Sequence, residues 1–246
     1  MLDFQKFIES TNGSHNSEEV FKTYAEAMGK FGFDRICYSL LTDHPSLELN
    51  AGHGILRNYS EDWMKHYIDN GYVGIDPVPS FCFKTNRPFK WEWLTKNVPL
   101  KRAALKVMEE AREAQLLDGL AIPIHGLSSE LAGVGMASSS GKTNISPDEV
   151  YMIRALTLQF HLSFTEKETA AEKIRHIYLT PREREVLSWA AEGKSDQVIS
   201  EIVGLSYATI RFHMSNIFLK LEVNERTLAV MKAVRHGLIK PALLSS

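Results

Sequence analysis

Apolar residues recur at helical spacing along the last quarter of the chain, and each run begins on a capping residue. Thr180-Pro181-Arg182-Glu183 reads as a capping box with proline at the first helical position, where its missing N–H costs nothing. Val186, Leu187 and Ala190 then share a face, and Gly193 ends the helix. Ser195 opens a second helix with Val198, Ile199, Ile202 and Val203 at helical spacing. Gly204 breaks it, Leu205 fills the turn, and Ser206 caps a third helix that runs from Tyr207 to about Leu221 and buries Ile210, Ile217 and Leu221. Asn224 caps a fourth helix that reaches His236, with Gly237 closing it.

Two helices joined by a short glycine-containing turn form the helix-turn-helix pattern, whose second helix reads the major groove with its N-terminal residues. Those residues are Tyr207, Ala208, Thr209, Arg211 and Phe212, with Ser215 and Asn216 one turn on. Arg211 can reach a guanine edge or a phosphate, and Thr209 can bond either kind of group. Lys194, in the turn after the first helix, is a further DNA-contact candidate. Three-helix bundles that bind no DNA share the same pattern.

The first 164 residues mix both periodicities. Ser17 caps a helix carrying Val20, Phe21, Tyr24, Ala27 and Met28 and ending at Gly32. Phe33–Leu41 reads as a strand and Leu47–Ala51 as a second. Ser60 caps a helix through Tyr67 and Ile68, ended by Gly71; Pro88–Trp93 suits an edge strand. A long helix follows from about Lys101 to Leu117, with Ala104, Leu105, Met108 and Ala111 inside. Leu120–Ile124 and Leu131–Ser138 pair around a turn at 126–129. Ser146-Pro147-Asp148-Glu149 is a second capping box, opening a helix to about Phe164. The fold class is therefore α+β: an α/β/α sandwich over residues 1–164 with a mainly antiparallel sheet of about five strands, a charged linker or helix end over 165–178, and a four-helix DNA-binding module over 179–246.

The helix opened by Ser146 carries two apolar stripes. Val150, Ile153, Thr157, Phe160 and Phe164 form one; Tyr151, Ala155, Leu158 and Leu162 form the other. A helix apolar on two sides is buried on two sides. The second stripe faces either its own domain or a second copy of the chain.

Charge sharpens the division. The whole chain has a formal net charge of −2, yet residues 174–240 hold 10 Lys and Arg against 7 Asp and Glu, a charge of +3. So mild a field predicts modest DNA affinity per monomer and reliance on a homodimer. Cys37 and Cys82 are too few for a disulfide framework or zinc site and suit small buried hydrophobes. Neither a secretory signal nor an 18-residue apolar run is visible, so the expectation is a cytoplasmic protein without a membrane partner.

One constellation suggests a ligand. Trp63 and Tyr67, four residues apart, project from one helix face, and Asp76-Pro77 follows nine residues on. Trp91 and Gly119 lie further along. An indole N–H, a phenol O–H and a carboxylate in an aromatic pocket suit a small molecule with two carbonyls and an amide N–H. The same residues also serve as ordinary core and turn.

Leu179–Leu187, Trp189–Ser195, Thr209–His213, Lys220-Leu221 and Arg226 resemble the DNA-binding domain of LuxR-type transcription factors over some 60 residues. In that family the residues matching Glu183, Leu187 and Gly193 are near-constant; a returned cap bond, a core position and a turn explain them without DNA contact. Trp63, Tyr67, Asp76, Pro77, Trp91 and Gly119 match the signature of the autoinducer-binding domain of LuxR-type quorum-sensing receptors. The resemblance implies an N-acyl-homoserine lactone as ligand, with no other cofactor and no metal. By it, Trp63 donates to the lactone carbonyl, Tyr67 donates to the amide carbonyl and Asp76 accepts the amide N–H. Trp91 packs on the lactone ring, Gly119 lets a strand pass close, and Tyr59 and Val78 line the pocket. Double-stranded DNA, a second copy of the chain and RNA polymerase are the implied partners.

The chain departs from the family at Gly135, where many relatives carry Ser or Thr; the missing hydroxyl argues against preference for a 3-oxo chain. No nucleophile elbow, zinc-protease motif or phosphate loop is present, so the chain reads as a non-enzyme. A phosphorylation-controlled regulator would need an acidic pair after its first strand, and residues 1–60 show none. The same architecture responding to a non-lactone signal, or to no ligand, stays open.

Overall fold

The computed structural model describes residues 3–44, 47, 49–126, 130–171 and 177–240. The described residues divide into two compact units, 3–171 and 177–240.

The first unit is built on a five-stranded sheet. Its strands are β1 (Arg35–Leu40), β2 (Gly52–Arg57), β3 (Phe89–Lys90), β4 (Asp118–His125) and β5 (Leu131–Ser138). Their order is β2-β1-β5-β4-β3, and every pairing is antiparallel. The expected α/β/α sandwich is present. Helices α1 (Phe4–Gly13), α2 (Ser17–Gly29) and a long helix, Pro147–Ala171, cover one face. Helices Glu61–Asp69, Pro77–Cys82, Trp91–Asn97 and Arg102–Glu113, here α3 to α6, cover the other.

The pleat divides the central strands cleanly. Ile36, Tyr38 and Leu40 of β1, Leu120, Ile122 and Ile124 of β4, and Val134 and Met136 of β5 pack with Tyr24, Phe160 and Phe164 in one core. The alternate residues face the second core and are small: Cys37 and Ser39, Gly119 and Ala121, Gly133, Gly135 and Ala137. Packed under large helix side chains, a face without bulk leaves space. That space is the cavity described below.

Several boundaries differ from the sequence pattern. The α2 cap is Asn16, whose side chain accepts from Glu19 N–H, rather than Ser17. The second strand is β2 at Gly52–Arg57, not Leu47–Ala51, within which Leu49 forms a single bridge to His44. Gly52-His53-Gly54 reads as a turn in sequence. In the sheet Gly54 takes φ +63° inside a register shift opposite β1, where Tyr38 pairs Leu56 and Leu40 pairs Gly52, so β2 carries two extra residues there. Of Pro88–Trp93 only Phe89–Lys90 is strand, and Trp91 begins α5. Along α6 the buried line is Ala104, Val107 and Ala111, while Leu105 is exposed. Residues 127–129 of the expected turn between β4 and β5 lie outside the described residues.

The Ser146 capping box closes in both directions, Ser146 N–H to Glu149 Oε2 at 2.8 Å and Glu149 N–H to Ser146 Oγ at 3.3 Å. The helix it starts, α7, runs to Ala171, beyond Phe164 and into the charged segment from 165. Its inner stripe (Ile153, Thr157, Phe160 and Phe164) is buried, and its outer stripe is open: Tyr151, Leu158 and Leu162 are 66%, 40% and 58% exposed.

The second unit comprises α8 (Pro181–Ala191), α9 (Asp196–Val203), α10 (Tyr207–Leu221) and α11 (Arg226–Arg235). The Thr180–Glu183 capping box is complete, and Ser195 and Ser206 cap α9 and α10 through their hydroxyls. Such a cap is typically worth ~1 kcal/mol. Glu225, not Asn224, stands at the α11 cap and makes no side-chain cap bond. Arg226 instead ties α11 to the α8–α9 turn, bonding Asp196 and the Lys194 carbonyl. Val198 and Ile202 face outward, and Ile199 alone of the α9 apolar set is fully buried.

Candidate functional site

A narrow, largely apolar cavity lies between the small-residue face of the sheet and α3 to α6. Tyr59, Trp63, Tyr67, Asp76, Val78 and Trp91 all line it, so six of the seven sequence-selected ligand residues converge. Gly119 does not line it. A Cβ there would stand 1.9 Å from the Trp91 ring, so the bare backbone of β4 is what lets that indole lie flat against the sheet.

Asp76 is the polar centre. It caps α4, its Oδ1 accepting from Val78 N–H at 2.8 Å, while its Oδ2 accepts from the Tyr67 hydroxyl at 2.8 Å. Pro77 holds Asp76 extended at φ −62°, ψ 122°, which aims the carboxylate back across the helix start. Burial raises its pKa to about 6, although the Val78 and Tyr67 bonds both oppose the shift. A carboxylate has about four acceptor positions, so room remains for an N–H donor.

The donors are equally specific. The single proton of the Tyr67 hydroxyl is committed to Asp76. Tyr59 and Trp63 make no side-chain hydrogen bond among the described residues, and Trp91 Nε1 is buried without a partner. A buried unpaired donor costs ~1–3 kcal/mol. The rings brace one another: Trp63 and Tyr72 stand edge-on to Tyr67, both at 5.8 Å, and His53 stacks on Tyr67 at 4.5 Å. The arrangement can hold a flat polar head among aromatic walls, offering several donors and one strong acceptor.

Residues 16–164 match the family model of the autoinducer binding domain, and residues 178–233 match that of bacterial regulatory proteins of the LuxR family. The chain belongs to the LuxR family of transcription regulators. BjaR1, a transcriptional activator of Bradyrhizobium diazoefficiens, is 30% identical over 96% of this chain and 95% of its own length. The LuxR activator of Aliivibrio fischeri is 29% identical over 96% and 94%. Escherichia coli SdiA shares the fold with a TM-score of 0.74 at 21% identity, over 96% of this chain and 99% of its own. This LuxR-family regulator thus joins a ligand-binding domain to a helix-turn-helix DNA-binding domain.

In the DNA-binding domain of this regulator, Tyr207, Arg211, Phe212 and Ser215 are exposed on the first turns of α10, and Lys194 is exposed after α8. Thr209 is half-buried with its hydroxyl 2.8 Å from that of Ser206, and Ser215 Oγ donates to the Arg211 carbonyl. Glu183 and Leu187 are buried. Glu183 Oε2 accepts from Thr180 N–H at 2.7 Å and from Lys220 Nζ at 2.6 Å, linking α8 to α10. Gly193 takes φ +74° in the turn.

The sequence pattern missed the sheet wall of the cavity: Cys37, Ser39, His53, Gly133 and the α6 residues Val107 and Met108. The available signal was the alternation of bulky and small residues along β4 and β5, Gly119-Leu-Ala-Ile and Ala132-Gly-Val-Gly-Met-Ala137. No helix among the described residues is long and apolar enough to cross a membrane.

Proposed function

We propose that this regulator is a cytoplasmic quorum-sensing receptor that binds an N-acyl-homoserine lactone and holds operator DNA as a homodimer, without enzymatic activity. The observation that carries the lactone is Asp76, a buried carboxylate with free acceptor positions, fixed by Tyr67 beside unpaired donors on Trp63 and Tyr59. Asp76 accepts the ligand amide N–H, and Trp63 donates to the lactone carbonyl. Because the Tyr67 proton is engaged, the amide carbonyl falls to the Tyr59 hydroxyl, and Tyr67 positions Asp76. Trp91 forms the floor under the lactone ring.

The outer stripe of α7 supports dimerisation, since three large apolar side chains stand exposed along one line. The +3 charge of the DNA-binding segment supports the need for two copies. Arg211, Thr209, Tyr207, Phe212, Ser215 and Lys194 are the DNA contacts, with RNA polymerase a further partner of the DNA-bound dimer.

Thermal unfolding with and without saturating lactone tests the reading. At 100-fold excess over Kd a ligand stabilises by ~2.7 kcal/mol, which raises Tm by roughly 5–10 °C in a chain of this size. An unchanged Tm across a chain-length series removes the lactone. Stabilisation by an acyl compound without the lactone ring would instead favour the same architecture answering a different signal.

A further inference from the structure

Resting on the lactone reading, we propose that His53 is a specificity residue that reads an oxygen on the ligand's acyl chain, so that the protein prefers an oxo- or hydroxy-substituted chain to a plain one. The reader of that oxygen then stands on β2, not at Gly135 on β5.

The cavity is polar where an unsubstituted alkyl chain would want none. Ser39 and His53 both line it, with Cys37 beside them. Ser39 Oγ accepts from Gly54 N–H at 2.9 Å and lies 3.3 Å from His53 Nδ1. The Ser39 proton can go to Nδ1 rather than to the more distant Cys37 Sγ at 3.8 Å, and in that arrangement the His53 proton stands on Nε2. The only partner of Nε2 among the described residues is Cys37 Sγ at 3.8 Å, a weak acceptor. Burial, with Arg57 nearby, lowers the His53 pKa to about 4, so the ring is neutral near pH 7. A neutral imidazole with one poorly paired N–H is a hydrogen-bond donor waiting for an uncharged oxygen.

Placement fixes which oxygen. His53 stacks on the ring of Tyr67 at 4.5 Å with only 11° between planes, and the Tyr67 hydroxyl holds Asp76. His53 is therefore one ring removed from the site of the ligand amide. An oxygen two carbons beyond the amide carbonyl stands about 4–5 Å from the amide nitrogen by ordinary bond lengths. An acyl chain running from the Asp76 site along the Tyr67 ring would carry that oxygen towards the His53 edge. His53 stands within the register shift of β2 and lines the cavity, with Ser39 Oγ 3.3 Å from its Nδ1.

The test is a matched series of octanoyl, 3-oxooctanoyl and 3-hydroxyoctanoyl homoserine lactones, titrated against the full-length protein by calorimetry. One good hydrogen bond in a buried site gives a ratio of about tenfold in favour of the oxygenated ligands. His53→Phe, which keeps a flat ring on Tyr67, collapses the ratio towards one, and His53→Gln retains part of it. Equal affinity of the wild-type protein for all three ligands overturns the role of His53 while leaving the lactone reading intact. A ratio that survives His53→Phe also overturns it. Failure of all three ligands to bind brings down the lactone reading and this inference with it. Equal wild-type affinities decide against the role whether or not a variant folds, and a ratio left undiminished in His53→Gln decides against it where His53→Phe does not fold.

Discussion

The Tyr67 hydroxyl donates to Asp76 Oδ2 at 2.8 Å, and both residues line the same cavity. The phenol thus opposes the rise that burial imposes on the Asp76 pKa and fixes the rotamer of the carboxylate. Tyr67→Phe removes a hydrogen bond to a charged group, worth ~1.5–3 kcal/mol. The expected result is a 10- to 100-fold loss of lactone affinity in calorimetry.

Asp76 also gives a pH dependence. Its carboxyl titrates at about 6 in the fold against an ordinary 3.8, so the ligand-free folded state holds more protons than the unfolded chain between those values. Stability of the ligand-free protein therefore falls as pH rises through that window, by about 3 kcal/mol from this group. A ligand N–H favours the ionised form, so ligand stabilisation grows over the same range. Tm measured at pH 5 and pH 7 should show a larger lactone-induced shift at pH 7. Asp76→Asn abolishes the lactone response.

Gly119→Ala puts a methyl group into the Trp91 ring, whose nearest atom lies 1.9 Å from the added carbon. The indole must leave the sheet or β4 must move, at a cost of ~1–3 kcal/mol or more. Thermal melts should show a Tm lower by roughly 4–10 °C, with Trp91 fluorescence changed.

Leu162 is 58% exposed on the outer stripe of α7 while Ser163 and Phe164 beside it are buried. Leu162→Asp places a charge on the proposed dimer face without entering the core. Sedimentation of the ligand-bound variant should give a monomer where the parent gives a dimer; two dimers would remove this face from the interface.

Arg211 is exposed on the second turn of α10 and has no carboxylate partner among the described residues. Arg211→Ala should weaken operator binding by ~1–3 kcal/mol, read by a mobility shift, and leave lactone uptake unchanged. Retained operator affinity removes Arg211 from the interface.

The DNA-binding unit was legible almost residue by residue because its helices are short and its caps are local, each set by a hydroxyl within three residues of its partner. Thr180, Ser195 and Ser206 each do what their spacing implies. Asn224 failed because Arg226 reaches across the fold to Asp196 and supplies the restraint instead. In the first unit the long periodic helices were visible, but β2 was not, since Gly52-His53-Gly54 has the composition of a turn and becomes strand only through pairing with β1. The short helix α1 was missed as well: its buried set is only Phe7 and Thr11. At the site, identity and spacing brought Trp63, Tyr67 and Asp76 together. The engagement of Tyr67 with Asp76, which leaves Tyr59 with the unpaired phenol of the pocket, depends on side-chain direction and could not be read from spacing.

The alternation of bulk along β1, β4 and β5 has a genetic consequence. Large residues on one face hold the fold, and small ones on the other determine how much room a ligand has. An added methyl group at Gly133 or Gly135 would meet only side-chain atoms, at 3.3 Å or more, whereas one at Gly119 would collide with Trp91. Substitutions that reshape ligand choice can therefore accumulate at odd-numbered positions of β5 while the even-numbered ones keep the domain folded. A lineage descending from this receptor can alter the ligand's room on one face of β5 while the packing on its other face stays as it is.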